Sequence, residues 1–245
     1  MTGTATTATA RRVLGQLRHD PRTIALMLLV PCLLLTLLYW LYDAEPQRFD
    51  RIGGPLLGIF PFVVMFLVTS VATLRERSTG TLERLLTMPI RKLELIGGYA
   101  LAFGLVAVVQ AVVATGLAIG LLGLDVAGPT WLILCVAVLN ALLGLALGLL
   151  VSAFAHTEFQ AVQFLPAVIL PQFLLCGLFV PRAQMQPVLE AVSAVLPLSY
   201  AVDAMSRLTT DNEVSGLLLR DVAVIAGCVL AALALGAPTL RRRTP

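Results

Sequence analysis

The sequence is short of charge. Lys, Arg, Asp and Glu make up 13% of its 245 residues, about half of the roughly 25% usual in soluble domains, which excludes an ordinary cytosolic protein. Histidine occurs twice, at His19 and His156; neither has a second histidine one helical turn away, so a helix-borne metal site is not expected. Cys32, Cys135, Cys176 and Cys228 are widely spaced and lie in apolar surroundings, the pattern of free thiols acting as small hydrophobes rather than of disulfides or metal ligands. The single lysine, Lys92, follows an arginine. A phosphate-cradling loop needs glycine before that lysine, so any ATP must be bound by another protein. Neither G-x-S-x-G nor H-E-x-x-H occurs, which argues against an intramembrane enzyme.

Long apolar runs are what the chain has. Six charge-free runs cover residues 23–42, 52–74, 95–124, 126–155, 159–181 and 222–240, and 58% of all residues are apolar. A helix of about 20 apolar residues crosses a bilayer core. The fold class expected is therefore an all-α polytopic membrane protein with six transmembrane helices forming one domain over 1–245, the intervals between runs being too short for a separate catalytic unit. The first run starts after 22 residues and is followed by five more, so it reads as a retained helix rather than a cleaved signal. None of the runs contains an ionisable residue, which argues against a proton or ion relay through the membrane.

Basic residues set the orientation. Twelve of the seventeen fall on the side carrying both termini and five on the other, predicting cytoplasmic N- and C-termini. Their position beside the runs explains the net charge of +3 without a nucleic-acid partner. Residues 1–10 read as a Thr/Ala-rich tail. Val13, Leu14 and Leu17 then share one face, predicting a short helix on the inner leaflet. Asp20-Pro21 supplies an N-cap and a first helical residue for span one, in which Pro31 predicts a kink.

The most informative stretch runs from Arg75 to Lys92. Leu82, Leu85 and Leu86 follow i, i+3, i+4 spacing, Thr81 is a candidate N-cap and Pro89 ends the pattern. A short amphipathic helix of this kind can dock in another protein's groove. Further on, Gly144 and Gly148 form a G-x-x-x-G step for close helix packing within the subunit. After span five, Val188, Leu189, Val192, Val195 and Leu196 predict an amphipathic helix near the outer surface, and Asp203 and Arg207 an i, i+4 pair on a second short helix.

The order Glu76, Gly80, Thr81, Leu82, Glu83, Leu85, Leu86, Pro89 resembles the E-x-x-x-G-T-L-E-x-L-L-x-x-P loop of type-2 ABC transporter permeases, a family that includes drug and antibiotic (daunorubicin-resistance-like), lipid and polysaccharide exporters. Gly177 to Pro181 and Leu196 to Tyr200 look like landmarks of the family's outer-leaflet helices between spans five and six. The resemblance implies that Glu76, Arg77, Gly80, Thr81, Leu82, Glu83, Arg84, Leu85, Leu86 and Pro89 form a coupling element for a separate cytoplasmic ATPase, present in two copies and carrying ATP and Mg. It also implies a second permease subunit, contact with membrane lipid, and a place in a bacterial plasma membrane. Spans two and five would line the path, making Thr69, Ser70, Gln160, Gln163, Gln172 and Phe173 its candidates; hydrogen bonding between helices accounts for the same residues equally well. Two other readings stay open at this point: an ATP-independent carrier or channel, and a non-transporting scaffold.

Overall fold

The computed structural model describes residues 2–79, 81, 91–155, 157–211 and 213–239. Helices and turns account for these residues, with no strand among them. Helix α1 (Thr2–Arg18) precedes span one, α2 (Pro21–Leu41). Span two is α3 (Pro46–Ser78), span three α4 (Lys92–Gly120) and span four α5 (Thr130–Val151). Span five is composite: α6 (Glu158–Phe164), a π-helical segment (Leu165–Ile169) and α7 (Leu170–Leu175). A 3-10 turn (Arg182–Gln184) leads to α8 (Pro187–Val195) and α9 (Pro197–Thr210), and span six is α10 (Gly216–Thr239). Six of these stretches are long and apolar enough to cross a membrane. The protein is a multi-pass, all-α membrane protein.

Helix ends depart from the edges of the charge-free runs because charge marks where lipid ends, not where backbone hydrogen bonding ends. Helix α3 starts six residues before its run and outlasts it by four, so the outer loop expected over 43–51 shrinks to a short turn before Pro46. Runs three and four overshoot instead: α4 stops at Gly120, and Gly123, at φ 67°, takes a conformation open mainly to glycine. Helix α10 begins at Gly216 and so draws Arg220 and Asp221 into the sixth helix. The absence of ionisable residues holds for the run but not for that helix. Asp221 is fully buried, and Arg220 and Arg207 donate to it at 2.9 and 3.4 Å, as a buried charge requires.

The N-terminal segment is helical from Thr2 rather than a tail. Val13 and Leu17 are buried with Leu95, Tyr99 and Phe103 of α4 in one of three apolar clusters. A Cβ at Gly98 would collide with Thr9, so the close approach of α1 to span three depends on that glycine. Asp20 caps α2 as expected, accepting from the Thr23 N–H at 3.2 Å and hydroxyl at 2.7 Å, with Pro21 as first residue. The helix continues through Pro31. Proline has no N–H to give the carbonyl of Met27 four residues back, and the buried amide of Gln110 on α4 donates there instead, at 2.8 Å.

Spans two and four form the central seam. A Cβ at Gly144 would fall on the Phe62 carbonyl, and one at Gly148 on Thr69 and the Phe66 carbonyl. The G-x-x-x-G step thus packs within the subunit, as expected. At the end of the bundle away from α1, Leu196, extended at φ −84° and ψ 122° ahead of Pro197, turns α8 through 90° into α9. The apolar stripe on α8 faces away from the protein, with Val188 73% and Val195 79% exposed, while Ser193 is buried and donates to the Leu175 carbonyl at 2.8 Å. Glu190 is exposed as well, and Ser193 is the one buried residue of α8. The expected Asp203–Arg207 pair does not form: Asp203 accepts from Arg182 at 2.8 Å and Arg207 turns to Asp221, because both faces of α9 carry a partner from another element. Cys32 and Cys176 are buried and all four thiols are free, but Cys135 is exposed on span four.

Candidate functional site where α1 meets the ends of spans two and five

Three consecutive residues end span two, and a helix advances about 100° per residue, so their side chains leave in three directions. Arg75 reaches Glu158, the first residue of α6, with Nε to Oε1 at 3.2 Å. Glu76 reaches α1 and α4. Arg77 donates through Nη1 to the carbonyl of Ser152 at 3.3 Å, satisfying an acceptor at the C-terminal end of α5 that has no partner within its helix. The last turn of span two is thereby fastened to α1 and to spans three, four and five.

Glu76 is the centre of this arrangement. Arg12 Nη1 and Nη2 donate to its two carboxylate oxygens at 3.0 Å each, a bidentate pair. The Tyr99 hydroxyl donates to Glu76 Oε2 and accepts from Arg12 at 3.1 Å, and the guanidinium also lies 5.9 Å from the Tyr99 ring centroid. With its amide turned to satisfy both ends, Gln16 donates to Glu76 Oε1 at 2.8 Å. The Glu76 side chain is 13% exposed, so this ion pair works at low dielectric and breaking it leaves a poorly solvated charge. The Arg75–Glu158 pair is 59% and 47% exposed and belongs to the weak surface class.

Of the residues singled out for coupling, Glu76, Arg77 and Thr81 lie in this region, the Thr81 hydroxyl 3.1 Å from that of Thr79. Gly80, Leu82, Glu83, Arg84, Leu85, Leu86 and Pro89 lie outside the described residues. Where the chain resumes, Glu94 accepts from the Arg91 N–H at 3.0 Å and caps α4. Arg12, Tyr99 and Glu158 are site residues that the sequence pattern does not single out. Arg12 and Glu158 read in the sequence as topological charge, and the one available signal for Tyr99 is its position as a hydroxyl inside an apolar run.

The path candidates divide into two groups. Thr69 and Ser70 are buried, donating to the carbonyls of Met65 at 2.6 Å and Leu67 at 3.0 Å in their own helix. Gln163 is exposed on span five and Gln160 half-buried. Gln172 is buried, donating to the Val168 carbonyl at 3.1 Å, and its Oε1 has no partner. Phe173 packs edge-to-face on Phe179, 5.2 Å between centroids. Pro166 and Pro171 each remove a backbone donor from span five, and the π-helical segment lies across the first of them. No group of three or more His, Cys, Asp or Glu side chains able to hold a metal occurs among the described residues.

The sequence pattern of the ABC-2 type transporter family matches residues 4–208. The chain belongs to that family. It is similar to a probable multidrug ABC transporter permease of Escherichia coli strain K12, YbhS, at 26% identity over 194 residues, covering 78% of this chain and 51% of the relative. It is also similar to YbhR of the same organism, likewise named a probable multidrug ABC transporter permease, at 27% over 153 residues, 62% of this chain and 42% of the relative. A third similarity is to ABC transporter G family member 20 of Dictyostelium discoideum, at 26% over 156 residues, 64% of this chain and 21% of the relative. The chain spans about half the length of the bacterial relatives it matches. The chain is thus an ABC-2 family membrane protein, and the anchored end of span two is where the coupling pattern expected from the sequence begins.

Proposed function

We propose that this permease is the membrane subunit of an ATP-driven exporter in a bacterial inner membrane, with both termini in the cytoplasm. It pairs with a second permease and with two cytoplasmic ATPase subunits that carry ATP and Mg. It moves an amphipathic molecule, a drug or a lipid-like compound, out of the cytoplasm or inner leaflet. The observation that carries this reading is Glu76. It begins the coupling pattern, and the span-two turn it occupies is bonded to α1 and to spans three, four and five, so a push on the 80–89 segment would reach all of them at once. The names of the Escherichia coli relatives support a multidrug cargo.

In this reading, closure of the ATPases displaces the 80–89 segment and tilts span two. Span five moves with it through Arg75 and Glu158. The exposed amide of Gln163, with Gln160 beside it, faces the second permease across the path. An ion-coupled carrier would need a carboxylate free to take up and release a cation. Asp221, the buried acid of the sixth helix, is instead held by two guanidiniums.

The test is affinity purification of the native chain and of Glu83→Arg from host membranes in mild detergent, with ATP-dependent efflux measured in parallel. An ATPase subunit near one to one with the native chain, lost together with efflux in the variant while membrane insertion persists, is the expected result. Full efflux by Glu83→Arg and by Leu85→Asp would remove the coupling assignment.

A further inference from the structure

A cavity of about 540 Å3 lies at the inner ends of α1 and spans one, two and three, with span five at its side. That volume falls within the range of roughly 300–1,000 Å3 for sites that hold drug-sized ligands. Leu17, Leu26, Val68, Val71 and Phe103 make its wall apolar, and the charged residues lining it among those described are Asp20, Arg75 and Glu76. Each charge can be accounted for. Glu76 is neutralised by Arg12 and Arg75 by Glu158. Asp20 accepts from the Thr23 N–H and hydroxyl and from the backbone of Arg22, and it feels the Arg75 guanidinium across the cavity, but it makes no direct ion pair among the described residues. Hydrogen bonds from the Thr23 hydroxyl and then its N–H hold the Asp20 carboxyl below the usual carboxylate range, so it carries its charge at neutral pH. Among the described residues, the two carboxylates and one guanidinium of the lining, with the Arg12 and Glu158 partners included, leave one negative charge in excess.

We propose that this cavity is a binding site for a lipophilic cation, an apolar body of drug size bearing one positive charge, with Asp20 as its counter-ion. The apolar wall takes the body out of water or out of the inner leaflet. The surplus carboxylate stabilises a cation and repels an anion of the same shape. Asp20 lies at the junction of α1 and span one, where a ligand arriving from the inner leaflet would leave its charged end. Binding itself needs no ATPase, but the step after it rests on the exporter reading, since a cation held here becomes cargo only if the permease then moves it outward.

Tetraphenylphosphonium and tetraphenylborate are nearly the same in shape and opposite in charge. Their binding to the full permease in phosphatidylcholine nanodiscs, corrected for empty nanodiscs, tests the proposal without the ATPase. The phosphonium is expected to bind saturably and at least about tenfold more tightly than the borate, a difference of about 1.4 kcal/mol. Asp20→Asn keeps a good N-cap and removes the charge, and should weaken phosphonium binding several-fold with an unchanged melting midpoint. Val71→Trp should fill the cavity and abolish saturable binding. Equal binding of the two ions, absence of saturable phosphonium binding, or full affinity in Asp20→Asn would each overturn the site. Loss of the site with ATP-dependent efflux intact would leave the exporter reading standing, whereas phosphonium binding in a protein with no ATP-dependent efflux would remove that reading and keep the site.

Discussion

Spans two and four are 61% buried within the subunit, span five only 17%. The difference does not simply follow hydropathy, since span one is as hydropathic as spans two and four yet only 22% buried; span five, the least hydropathic of the six, carries three glutamines, where span four has none and span two only Gln47 beside Pro46. In lipid, burying a leucine gains little over leaving it against acyl chains, so helices associate through close van der Waals fit and internal hydrogen bonds. Spans two and four have the small residues for that fit, at Gly58, Gly144 and Gly148. Span five has bulk and polarity on its surface and a π-helical break around Pro166, whereas span two stays α-helical through its own Pro55 and Pro61. One pair of helices is built to stay together, the other element to meet something outside the subunit.

The sharpest way to break this comparison is to add bulk on each side of it. Gly144→Leu would place side-chain atoms on the Phe62 backbone, which cannot rotate away as a side chain could. It should cost about 3 kcal/mol or more, seen as loss of monodisperse protein in mild detergent and a large fall in melting midpoint. Gln163→Leu, on exposed span five, should stay within about 0.5 kcal/mol of the native protein while reducing efflux. A Gly144→Leu protein that melts with the native one would mean that the seam contributes nothing to stability.

An intermediate effect is expected where span two meets α1. Arg12→Gln removes both charged donors to a carboxylate that is 13% exposed, and should cost about 3 kcal/mol, the low end for orphaning one partner of a buried pair. Tyr99→Phe removes one hydrogen bond from the same carboxylate and should cost about 1.5 kcal/mol. Thermal unfolding of the two variants in the same detergent checks both the order and the sizes.

The seam was legible in the sequence and the anchors were not, for a physical reason. A close helix approach is encoded locally, by two glycines four residues apart, and the Asp20-Pro21 cap likewise by adjacent residues. The Arg12–Glu76–Tyr99 contact joins positions 64 and 87 residues apart, and nothing in the local pattern distinguishes Arg12 from Arg11. The Asp203–Arg207 expectation failed in the same way: the spacing was right for a pair on an isolated helix, but Arg182 and Asp221, brought in by other elements, offered each residue a partner. Gln110 shows the converse. Pro31 announces an orphan carbonyl at Met27, and a lone amide in a neighbouring span is the kind of residue that could satisfy it, yet only the packing of α4 on α2 selects which amide.

The smallest expected effect bears most directly on motion. Arg75 and Glu158 join the rigid seam to span five through side chains that are about half exposed. A double-mutant cycle with Arg75→Gln and Glu158→Gln should return a coupling energy of about 0.2–1 kcal/mol. The coupling should shrink as salt rises, because exposed charges are screened over about 8 Å at physiological ionic strength. A pair this weak opens and closes at thermal energies, which leaves the packing of Leu74 and Val71 on Ala161 and Phe164 as the remaining tie between spans two and five at this end while the Arg12–Glu76 anchor holds. A coupling above about 3 kcal/mol, insensitive to salt, would instead make spans two and five one rigid body, and a path between subunits would then have to open by movement of whole permeases.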